Sequence, residues 1–539
     1  MNRVRRGAGY LACAVGRRRF LAAGAACVGA AFGGPLTGCA GAAPRTTLAS
    51  DRVVGLAAVR RLLVERTDPV AGRCRYVADT GARQVAQPVL VARRGEVFDA
   101  VIENALPQPT ALHFHGLTLA EAADGAGFDP IAPGERKRVR FELLNRSGLY
   151  WFHPHPHGFT AEQIYGGLAG LLVVADEDDD ALDAALRLAP ANRLALALAD
   201  VRVANGVLRP YAPTPEECLH GWYGNRALAN GALEAQQTVA PGWVRLQLLN
   251  TCNARGLLVA FRDGESLVPF HLLGTDGGLL SAPRELERVF LHTGERVDLA
   301  LNVTGRGAVA AVSLEFDPRH HMQGTASAHR HPARERYAPL AAATVCEGAP
   351  GVAATDFLPD GAELPLFGLR VVGAGGGAAP PLPARLAALA EAPAWPDAAV
   401  RRMRLDFDEQ FGFVIDQSPY RSEEIAFSVD RGAREVWEIK NSPISMPHPM
   451  HLHGFGFRVL QRQGTFGPAR RLATEAGGRL PTDLGVKDTV VIWPNETVRL
   501  AVDFALPGGA AFVGRQRYMF HCHNLEHEDG MMMRNYAVL

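Results

Sequence analysis

Among the 18 histidines of this 539-residue chain, eight form four pairs, two towards each end, in which a single residue separates two histidines. The four pairs are His113-Phe114-His115, His153-Pro154-His155, His451-Leu452-His453 and His521-Cys522-His523. Residues i and i+2 of a β-strand point to the same face, so each pair aims two imidazoles in one direction. A single pair is compatible with an ordinary packed or solvated strand. Four pairs, without a carboxylate pattern that would favour a harder ion, predict copper binding.

One cysteine lies inside the fourth pair. Because Cys522 separates two histidines, its side chain projects to the opposite face of the strand from theirs. His527 follows five residues later, and His448 lies three residues before the third pair, a spacing that places it on the other face from that pair. A thiolate and two imidazoles with a weak axial thioether form a blue-copper site. The pattern therefore predicts two metal centres joined back to back through the Cys522 backbone, with axial candidates Met531, Met532 and Met533.

Two sequence plans that could position these residues occur three times each. The first is a glycine followed by an alternating run that ends at asparagine, at Gly95–Asn104, Gly242–Asn250 and Gly432–Asn441. The second is a turn with a glutamate before a strand, at Pro133-Gly134-Glu135, Thr293-Gly294-Glu295 and Pro494-Asn495-Glu496. Three copies of both plans in the same order predict an all-β protein of three homologous β-sandwich domains.

The chain length also corresponds to about three domains. We place the first domain at 50–180, the second at 190–347 and the third at 397–539. The Gly/Ala/Pro-rich segment 348–396, which contains GAGGGAAPPLP, is interpreted as a linker before the third domain.

The first 42 residues have the pattern of an export signal. Arg17-Arg18-Arg19 precedes a weakly apolar run from Phe20 to Leu36, as in a twin-arginine signal. Leu36-Thr37-Gly38-Cys39 is similar to a lipobox, in which Cys39 would be lipidated. The alternative is cleavage after Ala40-Gly41-Ala42, which would release a soluble protein. We therefore expect an exported protein, at the periplasm or the outer face of the envelope, with a possible lipid anchor at Cys39.

The overall charge excludes no substrate but favours no charged macromolecule. The 56 basic and 56 acidic side chains give a net charge of zero, so nothing global points to nucleic acid or an anionic membrane as partner. After the signal, the remaining cysteines make no obvious disulfide framework: Cys74, Cys218, Cys252, Cys346 and Cys522.

The motifs HFHG, WFHPH, HPMHLHG and HCHNLEHEDGMMM resemble the four copper signatures of multicopper oxidases. The resemblance is to the bacterial three-domain, laccase-like and cuprous-oxidase branch and covers roughly residues 85–539. It implies three consecutive cupredoxin-like Greek-key domains and four copper ions, namely one type 1, one type 2 and two type 3.

The resemblance also implies which residues bind each ion. The type 1 copper would take His448, Cys522, His527 and the axial Met532, with Met531 as the fallback. The type 2 copper would take His113 and His451. The type 3 pair would take His115, His153, His155, His453, His521 and His523. The trinuclear ligands then come from the first and third domains only, which places that cluster at their interface.

Two carboxylates match the proton path of the family. Asp124 stands nine residues after His115, and Glu528 directly follows His527. Asp529 is a weaker candidate near the type 1 site. The chain departs from the family pattern where Phe114 replaces the usual tryptophan and where residues 120–123 lack the usual proline.

The other histidines are assigned no chemistry. His157, His220, His271 and His292 are expected to have structural or surface roles. The segment from His320 to His331 is interpreted as a polar loop, with copper capture as the alternative.

The implied activity is one-electron oxidation of a reducing substrate at type 1 copper, coupled to four-electron reduction of O₂ to water at the trinuclear cluster. Cu(I)-oxidising relatives carry methionine-rich insertions, whereas this chain has nine methionines and no run outside its tail. We therefore expect a phenolic, laccase-type substrate. The enzyme is expected to be a monomer. The alternative is a cuprous oxidase for copper tolerance. A more distant alternative is a copper-free interaction protein of the same fold, but such relatives have lost the ligands that this chain keeps.

Overall fold

The computed structural model describes residues 52–316, 361–373, 377–443, 445–465, 467–510 and 512–539. The predictions for the signal segment 1–42, Cys346 and the loop 320–331 lie outside these residues. Within the described ranges, the strands form three consecutive β-sandwiches, which confirms the all-β prediction. No helix in this part of the chain is long and apolar enough to cross a membrane.

The first sandwich consists of two five-stranded sheets. One sheet has the order β1-β5-β10-β9-β7. Its strands are β1 (Val53–Gly55), β5 (Val89–Arg93), β7 (His113–His115), β9 (Gly148–His153) and β10 (Gly170–Ala175). The other sheet has the order β4-β3-β2-β6-β8. Its strands are β2 (Arg61–Asp68), β3 (Arg73–Asp79), β4 (Gln84–Ala86), β6 (Val97–Asn104) and β8 (Arg136–Glu142).

The second sandwich is larger and has a seven-stranded sheet of order β15-β14-β11-β17-β23-β20-β21. Its strands are β11 (Arg193–Val201), β14 (Arg226–Ala229), β15 (Ala232–Leu233), β17 (Trp243–Asn250), β20 (Phe270–Thr275), β21 (Gly278–Leu286) and β23 (Arg296–Asn302). A six-stranded sheet, β16-β25-β24-β18-β19 with β22 beside β18, faces it. Its strands are β16 (Gln236–Val239), β18 (Leu257–Asp263), β19 (Ser266–Leu267), β22 (Arg288–Leu291), β24 (Ala308–Ser313) and β25 (Leu364–Val371). A small hairpin pairs β12 (Val203–Ala204) with β13 (Val207–Leu208).

Strand β25 lies within the segment 348–396 that the sequence predicts to be a linker. Its residues LPLFGLRV pair antiparallel with β24 and parallel with β16, so the second sandwich takes a strand from that segment. The apolar residues of this strand bury one face in the core of the second sandwich.

The third sandwich again has two five-stranded sheets. The first has the order β27-β26-β29-β33-β31 and the second β28-β35-β34-β30-β32. The strands of the first are β26 (Ala399–Asp408), β27 (Gly412–Ile415), β29 (Arg434–Asn441), β31 (Phe457–Gln463) and β33 (Thr497–Asp503). Those of the second are β28 (Ile425–Val429), β30 (His448–Leu452), β32 (Thr489–Ile492), β34 (Gln516–Cys522) and β35 (Met533–Val538).

Short helices connect the strands. The α-helices are Glu121–Asp124, Thr160–Tyr165, Glu177–Ala185, Pro215–His220, Gly467–Arg470 and Leu525–Asp529. The 3-10 turns are Leu56–Ala58, Pro190–Asn192, Ala476–Gly478, Pro481–Leu484 and Pro507–Gly509. Asp176 begins the helix between the first two sandwiches, because its side chain accepts from the N–H of Asp179 at 3.1 Å.

The two repeated sequence plans form the same strand pair in each sandwich. Strand β6 pairs antiparallel with β8, β17 with β23, and β29 with β33. The asparagine that ends the first plan bridges loop carbonyls in all three copies. The side chains of Asn104, Asn250 and Asn441 donate to Ile131, Leu291 and Ile492, respectively, at 2.9–3.0 Å. The asparagine at the end of each copy of the repeat thus holds the equivalent loop in all three sandwiches.

The sandwiches share an apolar interface. Leu149, Trp151 and Leu171 of the first sandwich pack with Ala197 and Leu249 of the second. Both faces of β17 are therefore buried, whereas β6 alternates between buried and partly exposed residues. Burying one such leucine contributes about 1.5–3 kcal/mol, so this interface stabilises the docking of the first sandwich on the second.

Candidate metal centres

The first two histidine pairs lie on neighbouring strands of the first sandwich. Strands β7 and β9 pair antiparallel with His113 opposite His153. Pro154 follows the end of β9 and has no backbone N–H group to donate to a neighbouring strand. The strand therefore ends there, and His155 lies beyond the sheet. All of these imidazoles are buried, with at most 1% of their surface exposed.

The last two pairs lie on neighbouring strands of the third sandwich. Strands β30 and β34 place His451 opposite His521 and Met450 opposite Cys522. His453 and His523 follow just past the ends of these strands. The predicted division of faces is present, because Cys522 points towards His448 while His521 points towards the histidines of the first sandwich.

The eight paired histidines form one buried cluster between the first and third sandwiches. The Nε2 atoms of His113 and His451 are 3.4 Å apart. The Nε2 atom of His521 lies 3.0 Å from that of His453 and 3.3 Å from that of His155. The rings of His115, His153 and His523 form a third group, with centroids 5.0–5.6 Å apart.

This arrangement fits metal ions. The buried Nδ1 of His115 and Nε2 of His153 and His523 have no hydrogen-bond partner among the described residues. Buried polar atoms without partners are costly, and a bound cation would satisfy them. The donor set contains only imidazole nitrogens, which suits copper.

The outer ring nitrogens of the cluster are held by hydrogen bonds. Such bonds fix which nitrogen remains for an ion. The Nδ1 atoms donate to backbone or carboxylate oxygens at 2.8–3.0 Å, in the pairs His113–Asp124, His451–Asp488, His153–Pro154, His521–Cys522 and His453–Asp124. Each of these rings therefore turns its Nε2 atom inward.

Burial keeps seven of the eight paired imidazoles neutral. Burial, followed by the charges of neighbouring histidines, lowers the pKa of His453 to about 4 and that of His523 to about 3. The same causes hold the pKa well below its ordinary value for His115, His153, His155, His451 and His521. Neutral imidazole is the form that binds metals, so this cluster needs no deprotonation at neutral pH.

A second, mononuclear group lies on the opposite face of β34. The Sγ atom of Cys522 is 3.5 Å from Nδ1 of His448 and 3.6 Å from Nδ1 of His527. Asn524 ends the strand and caps the helix Leu525–Asp529 by accepting from the N–H of Glu526 at 3.2 Å, which positions His527. Burial raises the pKa of the Cys522 thiol, so a thiolate there requires a cation.

The two axial candidates lie in different surroundings. Met532 is fully buried in the apolar cluster that also contains Cys522 and Met450. Met531 has a positive φ of 69° and packs instead with Met519 and Met533. The structure therefore favours Met532 over Met531 as a neighbour of the thiol.

The outer nitrogens of the mononuclear histidines contact other segments. His527 donates from Nε2 to the backbone carbonyl of Leu219 at 3.0 Å, in the helix Pro215–His220 of the second sandwich. Nε2 of His448 lies 2.9 Å from the hydroxyl of Ser445. The ring centroid of Phe413 lies 4.4 Å from that of His527 and 4.8 Å from that of His448. The second sandwich thus covers the outer edge of His527.

Asp124 and Glu528 lie on different sides of the histidine cluster. The Oδ2 atom of Asp124 accepts from His453 at 2.8 Å, and its Oδ1 atom is 3.5 Å from His113. Burial raises the pKa of Asp124, but the neighbouring histidines outweigh it and hold the pKa below its ordinary value.

Glu528 has no comparable partner. Its carboxylate is 3.5 Å from Nε2 of His155 and 3.4 Å from Nδ1 of His521, and neither oxygen has a hydrogen-bond partner among the described residues. Burial raises its pKa well above the ordinary value. The next residue, Asp529, accepts from the N–H groups of Thr160 and Ala161 at 3.0 Å and so joins the third sandwich to the first.

A group of buried ion pairs lies beneath the histidine cluster and was not predicted from the sequence motifs. Asp488 lies 3.0 Å from Nε2 of His115 and forms an ion pair with Arg296 at 2.6 Å. The adjacent Lys487 is fully buried and pairs with Asp276 at 3.0 Å and Glu295 at 3.1 Å. One signal was available, since Lys487 is one of only three lysines in the chain.

Glu526 was also missed. Its carboxylate accepts from Tyr211 at 2.9 Å, Asn253 at 2.8 Å and the N–H of Trp222 at 3.1 Å, all in the second sandwich. It therefore ties the helix that carries His527 to the segment that covers it.

The other histidines of the described residues lie outside both groups. His157 packs edge-on against Tyr420 with ring centroids 5.2 Å apart, and His271 is 3.6 Å from Glu285. His292 is buried beside Thr293, and His220 ends the helix over His527. Phe114 fills the core of the first sandwich, between the rings of Phe98, Phe141 and Phe152.

Comparison with known proteins agrees with this geometry. Two family models described as multicopper oxidase match residues 77–179 and 393–539. The chain is 26% identical over 455 residues to a multicopper oxidase of Staphylococcus haemolyticus, covering 83% of this chain and 80% of that protein. It is also 26% identical over 442 residues to the cell division protein FtsP of Xenorhabdus nematophila, covering 82% and 81%. The crystal structure of the McoA multicopper oxidase of Aquifex aeolicus superposes with a TM-score of 0.72 at 27% identity, covering 92% of this chain and 99% of that one.

The cupredoxin-like fold, the two family matches and the histidine–cysteine clusters together define the class. The two matched segments confirm the resemblance to the multicopper oxidase family that the sequence motifs predict. Members of that family are copper-dependent oxidoreductases that act with O₂ as acceptor.

Proposed function

We propose that this chain is an exported, laccase-like oxidase that couples one-electron oxidation of a phenolic substrate to the reduction of O₂ to water. The observation that carries the proposal is the strand β34, which holds the mononuclear thiol on one face and His521 of the buried cluster on the other, with His523 directly after its end. Such a strand links a site of single-electron uptake to a site that can collect several electrons.

The ligand assignment follows the three histidine groups and the thiol. Type 1 copper would be held by His448, Cys522, His527 and Met532, and type 2 copper by His113 and His451. The two type 3 ions would be held by His115, His153, His155, His453, His521 and His523. When bound, the four copper ions would take up single electrons and supply the four that reduce O₂ to two waters.

The peptide that carries Cys522 provides the path between the two centres. His521 and His523 are its direct neighbours in sequence, and both are buried in the cluster. The path therefore runs from the thiol through one residue of backbone to either imidazole.

The reduction of O₂ consumes protons as well as electrons, and two carboxylates are placed to deliver them. Glu528 lies beside His155 and His521 with both oxygens free to exchange a proton, and its raised pKa keeps one available. Asp124, on the other side, accepts from His453 and so orients that ligand. We assign Glu528 to proton delivery and Asp124 to a second branch of the path.

The substrate assignment rests on the surroundings of His527. Thioethers bind soft Cu(I), yet Met403, Met446, Met450, Met519, Met532 and Met533 are buried in apolar cores. The aromatic ring of Phe413 and the helix Pro215–His220 border the His527 edge instead. The aromatic ring at this border suits a phenolic ring better than a metal cation.

The experiment that tests this function measures copper, colour and turnover on one preparation. The expected results are close to four copper ions per chain, a blue absorption and O₂ uptake with a phenol at a higher kcat/KM than with Cu(I). The variant Cys522→Ser should lose the blue colour and turnover while it keeps about three copper ions. A colourless copper-loaded protein without O₂ uptake would reject the oxidase and favour an interaction protein of the FtsP kind. A higher kcat/KM with Cu(I) would replace the phenol by the cuprous-oxidase alternative.

Export is proposed on the N-terminal motif alone. Expression with and without residues 1–42, followed by fractionation and by mass spectrometry of the mature N-terminus, distinguishes a lipidated Cys39 from cleavage after Ala42. Cytoplasmic retention of the full chain in a host with an active twin-arginine system would contradict the proposal.

A further inference from the structure

A cavity of about 540 Å³ lies where the three sandwiches meet. Its lining includes Gly116 and Tyr150 from the first sandwich, Gly277 from the second, and Phe455 and Asp488 from the third. Gly116 directly follows His115, and Asp488 is 3.0 Å from Nε2 of His115. The cavity therefore ends against the His115 side of the buried histidine cluster.

Three of the seven charged side chains that line the cavity are neutralised by ion pairs. Asp488 pairs with Arg296 at 2.6 Å, and Asp503 pairs with Arg434 at 3.1 Å. Lys487 pairs with Asp276 at 3.0 Å. These groups contribute little net charge to the space between them.

Two arginines in the lining are different. Arg146 donates from Nη2 to the carbonyl of Leu279 at 3.2 Å, and its buried Nη1 has no partner among the described residues. Arg458 donates to the carbonyls of Ala390 at 2.8 Å and Leu484 at 3.0 Å, and its buried Nε is likewise unpartnered within that part of the chain. Backbone carbonyls carry no net charge, so these contacts leave both guanidinium charges in place.

The balance of the remaining charges is positive. Burial lowers the pKa of Arg458, and the charges of Arg479 and Arg146 lower it further, as expected for cations that face one another. Arg94 adds a third, exposed cation to the lining, and Glu391 is exposed at the edge of the cavity. Arg146 and Arg458 are partly buried, and each has a buried N–H group without a partner among the described residues, so an arrangement of this kind is suited to an anionic ligand.

We propose that this cavity binds a small oxyanion, a carboxylate or a phosphate, between Arg146 and Arg458. The planar fork of a guanidinium group matches the two oxygens of such an anion and provides the N–H groups that are now unpartnered. The volume accommodates an anion of that size with water around it.

The location gives the anion a role in the proposed oxidase, on which this part of the inference depends. An anion held above Gly116 and Asp488 occupies the space between bulk water and the His115 side of the cluster. It would restrict the movement of small molecules to and from that side while the Cys522 centre stays unaffected. Turnover would then fall without a change in the oxidation of substrate at His527.

Calorimetric titration of the copper-loaded protein tests the binding site directly. Inorganic phosphate and acetate are titrated separately at constant ionic strength, so that the two arms identify the preferred anion. The expected result is one saturable site, with binding at least tenfold weaker in Arg146→Gln and in Arg458→Gln. Arg370→Gln, which removes an exposed arginine of the second sandwich outside the cavity, should bind within twofold of the parent chain. No saturable binding of either anion, or equal affinity in the Arg146→Gln/Arg458→Gln double variant, would overturn the proposal.

Oxygen uptake tests the consequence. The preferred anion should lower kcat in the parent chain and not in the double variant, with the blue absorption of both unchanged. If the anion binds and kcat does not respond, the assignment of the path is wrong. Because calorimetry does not require turnover, a failure of the oxidase proposal would leave the binding result readable.

Discussion

Arg296 donates to both carboxylate oxygens of Asp488, each at 2.6 Å, and thereby joins the second sandwich to the third directly beneath His115. The same guanidinium donates from Nε to the carbonyl of Leu149 in the first sandwich at 3.0 Å. One side chain thus contacts all three sandwiches. Gly116 allows this approach, because a Cβ atom there would lie 2.5 Å from both Arg296 and Asp488.

Replacement of Arg296 by methionine should therefore destabilise the chain strongly. The change leaves a buried carboxylate unpaired, which costs about 3–5 kcal/mol when one member of a buried ion pair is removed. The measurement is the shift of the denaturant midpoint, together with the copper content of the folded protein. Arg402→Met is the matched control, because its pair with Glu438 is 3.3 Å long and exposed, and such pairs contribute about 0–1 kcal/mol. Equal shifts in the two variants would contradict the role assigned to Arg296.

The histidine pairs and Cys522 could be predicted from sequence because the chemistry lies in local spacing. Alternation along a strand determines the face of each side chain, so His521 and Cys522 can be assigned to different sites without a structure. Asp488 and Glu526 could not be found in this way. Their partners, Arg296 and Tyr211, are separated from them by 192 and 315 residues and meet them only when the sandwiches dock.

The same limit applies to the fold. The repeated glycine-to-asparagine runs predict the strands β6, β17 and β29, because each run carries its own alternation. Strand β25 escapes such a prediction. A long stretch of sequence separates it from its partner β24, and the sequence around it is rich in glycine, alanine and proline.

Replacement of Glu528 by glutamine should slow turnover without a change at the mononuclear site. Glutamine keeps the size of the side chain but cannot release a proton to the cluster beside His155 and His521. General acid–base groups contribute about 10²–10⁴-fold, so we expect kcat to fall at least about tenfold. The KM for the phenol and the blue absorption should stay close to those of the parent chain. Glu423→Gln, an exposed carboxylate of the same sandwich, serves as the control. A variant that raises KM at constant kcat would assign Glu528 to substrate binding instead.

Asp176 should make stability depend on pH in the acidic range. Burial raises the pKa of this carboxyl, but the N–H groups of Ser147 and Asp179 outweigh it and hold the pKa below the ordinary value of 3.8. The folded chain therefore keeps the carboxylate ionised to lower pH than the unfolded chain does. Its contribution is complete above the unfolded pKa and is lost as the pH falls through the folded pKa.

The variant Asp176→Asn separates this contribution from the hydrogen bonds, because asparagine also caps helices. Above pH 5 the parent chain should be more stable by roughly 0.3–1 kcal/mol, the usual contribution of a carboxylate at a helix N-terminus. The difference should shrink as the pH falls below 4 and disappear at still lower pH. Denaturant midpoints of both chains at a series of pH values measure it, with Glu177→Gln as a control for an exposed carboxylate in the same turn. A difference that grows with acidification would show the opposite sign of the pKa shift.

Removal of copper should show which of the two sites stabilises the docking of the first sandwich on the third. The proposed ligands of the buried cluster come from the first and third sandwiches, whereas His448, Cys522 and His527 all belong to the third. A ligand present at a thousandfold its Kd stabilises the folded state by about 4 kcal/mol, which corresponds to roughly 10 °C in Tm for domains of this size. Chelation should therefore lower the Tm of the parent chain by at least about 10 °C, as measured by calorimetry. Cys522→Ser, which affects the mononuclear site alone, should retain most of that stability when its other sites are loaded. If copper-loaded Cys522→Ser melts as low as the chelated parent, the ions between the first and third sandwiches do not stabilise their docking.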